Sequence, residues 1–103
     1  MGYRDVYSAA QADPEKFWME AAKAIDWVTP PTRALNDDNA PLYEWFTDAE
    51  VNTCWNAVDR HVEAGHGDRA AIIYDSPITG HQSTTTYAEL MTQTAALAGA
   101  LSE

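Results

Sequence analysis

The run from Ala70 to Glu89 constrains this chain more than any other. AAIIYD, residues 70–75, is a short apolar stretch with β-branched and aromatic side chains, the composition of a buried strand. Ser76-Pro77-Ile78-Thr79-Gly80 supplies turn chemistry, and the threonine-rich Ser83 to Thr86 reads as the returning strand. Residues 70–86 are therefore predicted to form a β-hairpin. Thr86-Tyr87-Ala88-Glu89 then matches a capping box, in which hydroxyl and carboxylate each accept a backbone N–H left over at a helix start. The predicted helix spans 86–103, with Tyr87, Leu90, Met91, Thr94, Leu97, Ala98 and Leu101 on its apolar face. That face runs to the last residues without a C-cap glycine, and Glu103 falls at the negative end of the helix dipole. The expectation is a helix cut inside or just past its natural end.

Upstream, Asp13-Pro14-Glu15 predicts a helix start: an N-cap aspartate, proline at the first helical position, and a carboxylate near the positive dipole end. Phe17, Trp18, Ala21, Ala22 and Ile25 then share a face, giving a helix over about 13–25. Residues 1–12 show no clear period and read as an arm. Trp27 to Leu42, with Pro30-Pro31 and Asn36-Asp37-Asp38-Asn39, reads as a wrapping linker anchored by Trp27 and Leu35, and Leu42 to Phe46 as a short extended piece. A further helix begins at Asn52 or Thr53, buries Trp55, Val58 and Val62, and stops at Ala64-Gly65 with glycine as its cap. The fold class is α/β, with three main helices and a hairpin. The chain divides into 1–51, with the arm, the first helix and the linker, and 52–103, with a helix, the hairpin and the last helix.

Size sharpens this reading. A chain of 103 residues buries roughly 60–65% of its unfolded surface. Yet 46% of it is hydrophobic and it carries four tryptophans, so part of this apolar surface is read as meant for a larger body. Six Lys and Arg against sixteen Asp and Glu give a formal charge of −10. That charge disfavours nucleic acid and anionic membranes as partners and favours solubility. Cys54 is the one cysteine, the N-terminus lacks a signal-peptide pattern, and Val6 breaks the myristoylation motif that Met1-Gly2 would begin. A reduced, cytoplasmic setting is expected.

No active site assembles from these residues. Cys54 and His61 lie seven apart on one predicted helix, roughly 10 Å along its axis; a thiol–imidazole pair needs hydrogen-bond distance. One cysteine with scattered His61 and His66 does not match zinc spacing. Asp59-Arg60-His61 project in different directions on a helix, so structural ion pairing suits Asp59 and Arg60 better than catalysis. Asp37-Asp38-Asn39 lacks the central glycine and final glutamate of a calcium loop and reads as a turn. Gly65-His66-Gly67 is too short to cradle phosphate, and Ser83 to Thr86 have no base nearby in sequence. Trp18, Trp27, Trp45 and Trp55 read as packing anchors ahead of a ligand pocket.

Asn52 to Gly80, NTCWNAVDRHVEAGHGDRAAIIYDSPITG, with Thr86-Tyr87-Ala88-Glu89-Leu90, resembles the short-chain acyl-CoA synthetases of the adenylate-forming superfamily. Ile73-Tyr74-Asp75-Ser76-Pro77 with Thr79-Gly80 is similar to the propionyl-CoA synthetase type, and Asn52, Asn56 and Asp59-Arg60-His61 are shared with acetyl-CoA synthetases. The arm Tyr3-Arg4-Asp5-Val6-Tyr7, Asp13-Pro14-Glu15 with Phe17-Trp18, and Asp26-Trp27 fit the start of the same family. The resemblance implies an enzyme of several hundred residues that uses ATP, Mg and CoA to convert propionate to propionyl-CoA through an acyl-adenylate. It would release AMP and pyrophosphate. The family's lysine-bearing phosphate loop, ribose-binding aspartate and C-terminal-domain lysine match no position here. No catalytic, cofactor-binding or metal-binding residue is therefore carried over.

The expectation is an N-terminal piece of such a ligase, structural in the parent and inactive alone, with the remainder of the ligase as its partner. Self-association of the piece is also expected, through the hairpin edge or the arm. The rival readings are a stand-alone interaction domain and, less favoured by the spacings, a small hydrolase or metal protein.

Overall fold

The computed structural model describes residues 1–102, so the expectation about Glu103 lies outside the described residues. The chain forms two compact units, Met1–Asn52 and a second beginning at Thr53.

The first unit opens with α1, Tyr3–Ala12, where an irregular arm was expected. Its signal is in the sequence: Tyr3, Val6, Tyr7 and Ala10 recur at helical spacing. The Tyr3 and Tyr7 rings stack with centroids 6.0 Å apart, and the Gly2 N–H donates to Asp5 Oδ2 at 2.9 Å to close the first turn. Next comes α2, Pro14–Ala21, as the sequence predicts. Asp13 Oδ1 accepts the Lys16 N–H at 3.0 Å, satisfying one of the donors that a helix start orphans. A tighter turn, Ala22–Ala24, ends the helix before Asp26.

The stretch expected to wrap as a linker is more regular than its prolines suggest. Strand β1, Trp27–Thr29, pairs antiparallel with β4, Glu50–Val51. Strand β2, Leu35–Asn36, pairs with β3, Glu44–Trp45, placing Leu35 opposite Trp45 and Asn36 opposite Glu44. The pairs are two or three residues long, too short to announce themselves by alternation. Tertiary contacts hold them. The Trp27 indole N–H donates to the Ala22 carbonyl at 2.8 Å, and Phe46 N–H to the Ala34 carbonyl at 2.8 Å. Phe46 takes this position at φ +49°, a left-handed conformation that costs a bulky residue roughly 1–2 kcal/mol. Its ring lies 5.5 Å from Trp27 and 5.9 Å from Trp45, contacts that offset the strain.

In the second unit a helical segment covers residues 53–66, but two stretches, Trp55–Asp59 and Val62–His66, are wound as π-helix. The widening moves side-chain neighbours from i+4 to i+5. Gly65 interrupts the helical backbone at φ +84°, at the place where the sequence predicts a glycine cap, and the segment runs on to His66. Strands β5, Ala70–Ser76, and β6, His81–Thr86, form the predicted hairpin, with Ile73 opposite Thr84 and Tyr74 opposite Ser83. Gly80 turns it at φ +67°. Helix α3, Tyr87–Leu101, follows directly. Thr86 Oγ1 accepts the Glu89 N–H at 3.3 Å, and Glu89 Oε2 accepts the Thr86 N–H at 2.8 Å, so both halves of the capping box are present.

The expected burial of β5 is not met within these residues. Ile72 is 47% exposed and Ile73 76%. A two-stranded hairpin needs a helix or another sheet to cover its faces, and here α3 meets only part of it. Among the described residues only Ala22, Ala34 and Val58 are buried.

Candidate functional site

Cys54, His61 and the Asp37–Asn39 turn each meet neighbours within their own unit. Cys54 Sγ donates to Asp59 Oδ2 at 3.4 Å, a contact that the π-wound turn creates. That hydrogen bond, with some desolvation and the carboxylate's charge, pushes the Cys54 thiol above its ordinary value. The group is thus a weaker nucleophile, the reverse of what activation requires. His61 sits against Tyr87 with ring centroids 5.4 Å apart, so the helix holds the thiol and the imidazole on separate partners. Among the described residues no three His, Cys, Asp or Glu side chains gather as a metal site.

Gly65-His66-Gly67 closes on protein. The Gly67 carbonyl accepts the Ala88 N–H at 3.0 Å and the Arg69 carbonyl the Tyr87 N–H at 3.0 Å, tying this loop to the start of α3. A Cβ at Gly67 would stand 3.4 Å from Ala88 and 3.6 Å from Val62. Of the six cations, Lys23 is paired with Glu20, and Arg33 with Asp37 at 2.7 Å and Asp38 at 3.5 Å. Lys23, Arg33 and the Gly65–Gly67 loop, so engaged, do not fit the triphosphate of ATP or the phosphates of CoA, which call for free guanidinium or ammonium groups or for converging backbone N–H groups. No reaction step is routed through either.

Asp37-Asp38-Asn39 forms a turn. Asn36 Oδ1 accepts the Asp38 N–H at 3.1 Å and the Asp37 carbonyl the Ala40 N–H at 3.1 Å. The tryptophans of the first unit build a row of rings: Phe17–Trp18 at 5.2 Å, Trp18–Trp45 at 5.6 Å, Trp45–Phe46 at 5.9 Å and Trp27–Phe46 at 5.5 Å. Sequence spacing could not bring residues 18 and 45 together; the β2–β3 pairing does. Beside the row runs an open groove of about 490 Å³ lined by Trp18, Trp45, Leu35, Glu15 and Arg33. Glu15 shapes it, accepting the Ala34 N–H at 2.6 Å and the Leu35 N–H at 3.4 Å.

What the surface offers is contact area. In the first unit Val28 is 67% exposed, Leu42 75% and Tyr43 57%. In the second, α3 half-buries Tyr87, Leu90, Met91 and Thr94, while Leu97 and Leu101 are 63% and 80% exposed. The apolar face of α3 thus extends past the elements that cover it. Scattered apolar residues are normal on a protein surface; here exposed ones lie on one helix face and one strand face.

Residues 3–57 match the family described as Acetyl-coenzyme A synthetase N-terminus, and the chain belongs to that family. It corresponds to the N-terminal region of the acyl-CoA and acetyl-CoA synthetase family. Over 99 residues, 96% of this chain, it is 46% identical to the human protein named Acyl-CoA synthetase short-chain family member 3, mitochondrial. Acetyl-coenzyme A synthetases of Streptomyces avermitilis and Mycobacterium tuberculosis are 44% and 40% identical over the same length. The chain spans 14% of the human relative and 15% of the two bacterial ones.

Proposed function

We propose that this chain is a bracing segment of an AMP-forming short-chain acid–CoA ligase, without catalytic activity of its own. The ligase would join propionate to CoA through an acyl-adenylate, consuming ATP with magnesium. The observation that carries the bracing role is burial: three small side chains are buried among the described residues, while Ile73, Leu97 and Leu101 stand open on one strand and one helix. A chain this apolar gains stability by covering such faces, at about 25 cal/mol per Å². The remainder of the ligase is the proposed cover. The propionyl assignment rests on the resemblance of Ile73 to Gly80, and acetate is the alternative substrate.

A chimaera tests the bracing role. This chain replaces the matching segment of the Streptomyces avermitilis acetyl-coenzyme A synthetase, and AMP release and thermal stability are measured. The chain alone should release no AMP, and the chimaera should be active. Ile73→Ser should change the stability of the free chain by at most about 0.5 kcal/mol, yet lower that of the chimaera by about 1–3 kcal/mol. Equal effects in both would refute bracing through β5. Propionate against acetate turnover by the ligase from the chain's own source decides the substrate. In the free chain, we propose that a second copy covers the hairpin edge; a mass independent of concentration in sedimentation equilibrium would refute this.

A further inference from the structure

We propose that the groove beside Trp18 and Trp45 receives a lysine- or arginine-bearing segment of the ligase body. The occupant's identity rests on the ligase reading above; the groove's chemistry does not. Its aromatic wall is open. Trp18 is 42% exposed and Trp45 51%, and they meet edge to face at 76°, which leaves indole surface open to the groove. An indole face attracts a cation through its quadrupole, and tryptophan does so best of the aromatic side chains.

Charge selects among occupants. Glu15 and Asp37 line the groove with Arg33, which Asp37 and Asp38 already neutralise. The unit around it, Met1–Asn52, carries ten Asp and Glu against four Lys and Arg. A phosphate-bearing ligand would approach this unit against that field, and so would the same acidic unit of a second copy. A purely apolar segment would desolvate the rim carboxylates without a counterion. A basic side chain on an apolar stem meets each requirement: its methylenes lie on Leu35 and the indoles while its charge faces the carboxylates. The groove is also held in shape before anything binds, because the Glu15 carboxylate pins the Ala34 and Leu35 backbone.

The test follows the indole N–H resonances of the ¹⁵N-labelled chain during titration with acetyl-Leu-Arg-Leu-amide, and with peptides carrying Gln or Glu in place of Arg. The Arg peptide should shift Trp18 and Trp45 and leave Trp27 still, since its N–H is held by the Ala22 carbonyl. Added salt should weaken the response. Glu15→Gln, whose amide oxygen can still accept the Ala34 N–H, should weaken Arg-peptide affinity by about threefold, the size of a partly exposed ion pair. No shift, or an equal shift with the Gln or Glu peptide, overturns the groove chemistry. The occupant is then read in the chimaera with Asp38, beside the groove and exposed, replaced by photo-crosslinking benzoylphenylalanine, which leaves both indoles in place. A crosslink to a Lys- or Arg-bearing segment of the ligase body is expected. A crosslink to another copy, to a neutral segment, or none at all overturns the occupant. An inactive chimaera whose parent chain still binds the Arg peptide refutes the ligase reading and its occupant, and leaves the groove chemistry standing.

Discussion

The Cys54 thiol donates a 3.4 Å hydrogen bond to the carboxylate of Asp59, five residues along the same helical segment. In an α-helix position i+5 lies away from i, so this pair exists because Trp55–Asp59 is wound as π-helix. The thiol is exposed, yet it is held protonated by its own helix.

Cys54 should therefore react slowly for an accessible cysteine. Its pKa is raised, so less thiolate is present at any given pH, and the iodoacetamide rate should climb at higher pH than for a free thiol. Asp59→Asn removes the charged acceptor and should move that profile down and speed alkylation at neutral pH. Alkylation rates across pH, read by mass spectrometry, check both statements, and identical profiles for the two proteins would remove the Asp59 contact as the cause.

Glu15 ties α2 to the backbone of β2. Ala34 is 1% exposed, and its N–H gives its bond to Glu15 Oε1. Glu15→Ala takes that acceptor away and should destabilise the first unit by about 1–3 kcal/mol, the cost of leaving a buried donor unmatched. Urea unfolding followed by tryptophan fluorescence measures it. Glu15→Gln should lose less, because an amide oxygen still accepts.

Asp48 accepts both the N–H, at 3.0 Å, and the hydroxyl of Thr32. These bonds favour the carboxylate and hold Asp48 below its ordinary value, the hydroxyl contributing most. A group depressed in the folded state stabilises above its unfolded pKa, and that contribution fades as pH falls through the folded pKa. Thr32→Val should bring the Asp48 pKa up toward the usual carboxylate range, visible in ¹³C carboxyl shifts, and reduce the loss of stability on acidification below the ordinary Asp range.

Gly65 and Gly67 should respond differently to alanine. Gly65 has φ +84°, where an L side chain strains the backbone by about 1–2 kcal/mol, although nothing lies within 4 Å of the added Cβ. Gly67 has an ordinary helical φ of −59°, and its added Cβ meets Ala88 and Val62 at van der Waals distance. Thermal unfolding by circular dichroism should show Gly65→Ala clearly destabilised and Gly67→Ala close to the parent.

Local chemistry was legible wherever a few neighbouring residues decide the outcome. Asp13-Pro14 starts α2, Gly65 breaks the helical backbone near the end of its segment, the Ser76–Gly80 turn closes the hairpin and Thr86 with Glu89 caps α3. Each is settled within a handful of residues, by a side chain reaching its own backbone or by glycine's freedom at positive φ. The α1 helix was equally present in the spacing of Tyr3, Val6, Tyr7 and Ala10, masked by their lying close to the terminus and by the lack of an N-cap side chain at Gly2.

Tertiary structure decided what local chemistry does not encode. The pairing of Leu35 with Trp45 and the meeting of Trp18 with Trp45 join residues far apart in sequence, across a loop whose turn residues carry no register. The change from α to π winding, which hands Cys54 to Asp59, leaves an apolar spacing that reads as an ordinary helix. Burial was the last thing left to the fold. AAIIYD has the composition of an interior strand, but burial is a property of what stands opposite, and Ile73 remains open among the described residues. By itself the sequence determined where α2, the hairpin and α3 begin, because those starts are fixed by short-range bonds. Which faces those elements cover, and which they leave for a partner, follows only from long-range contacts in three dimensions.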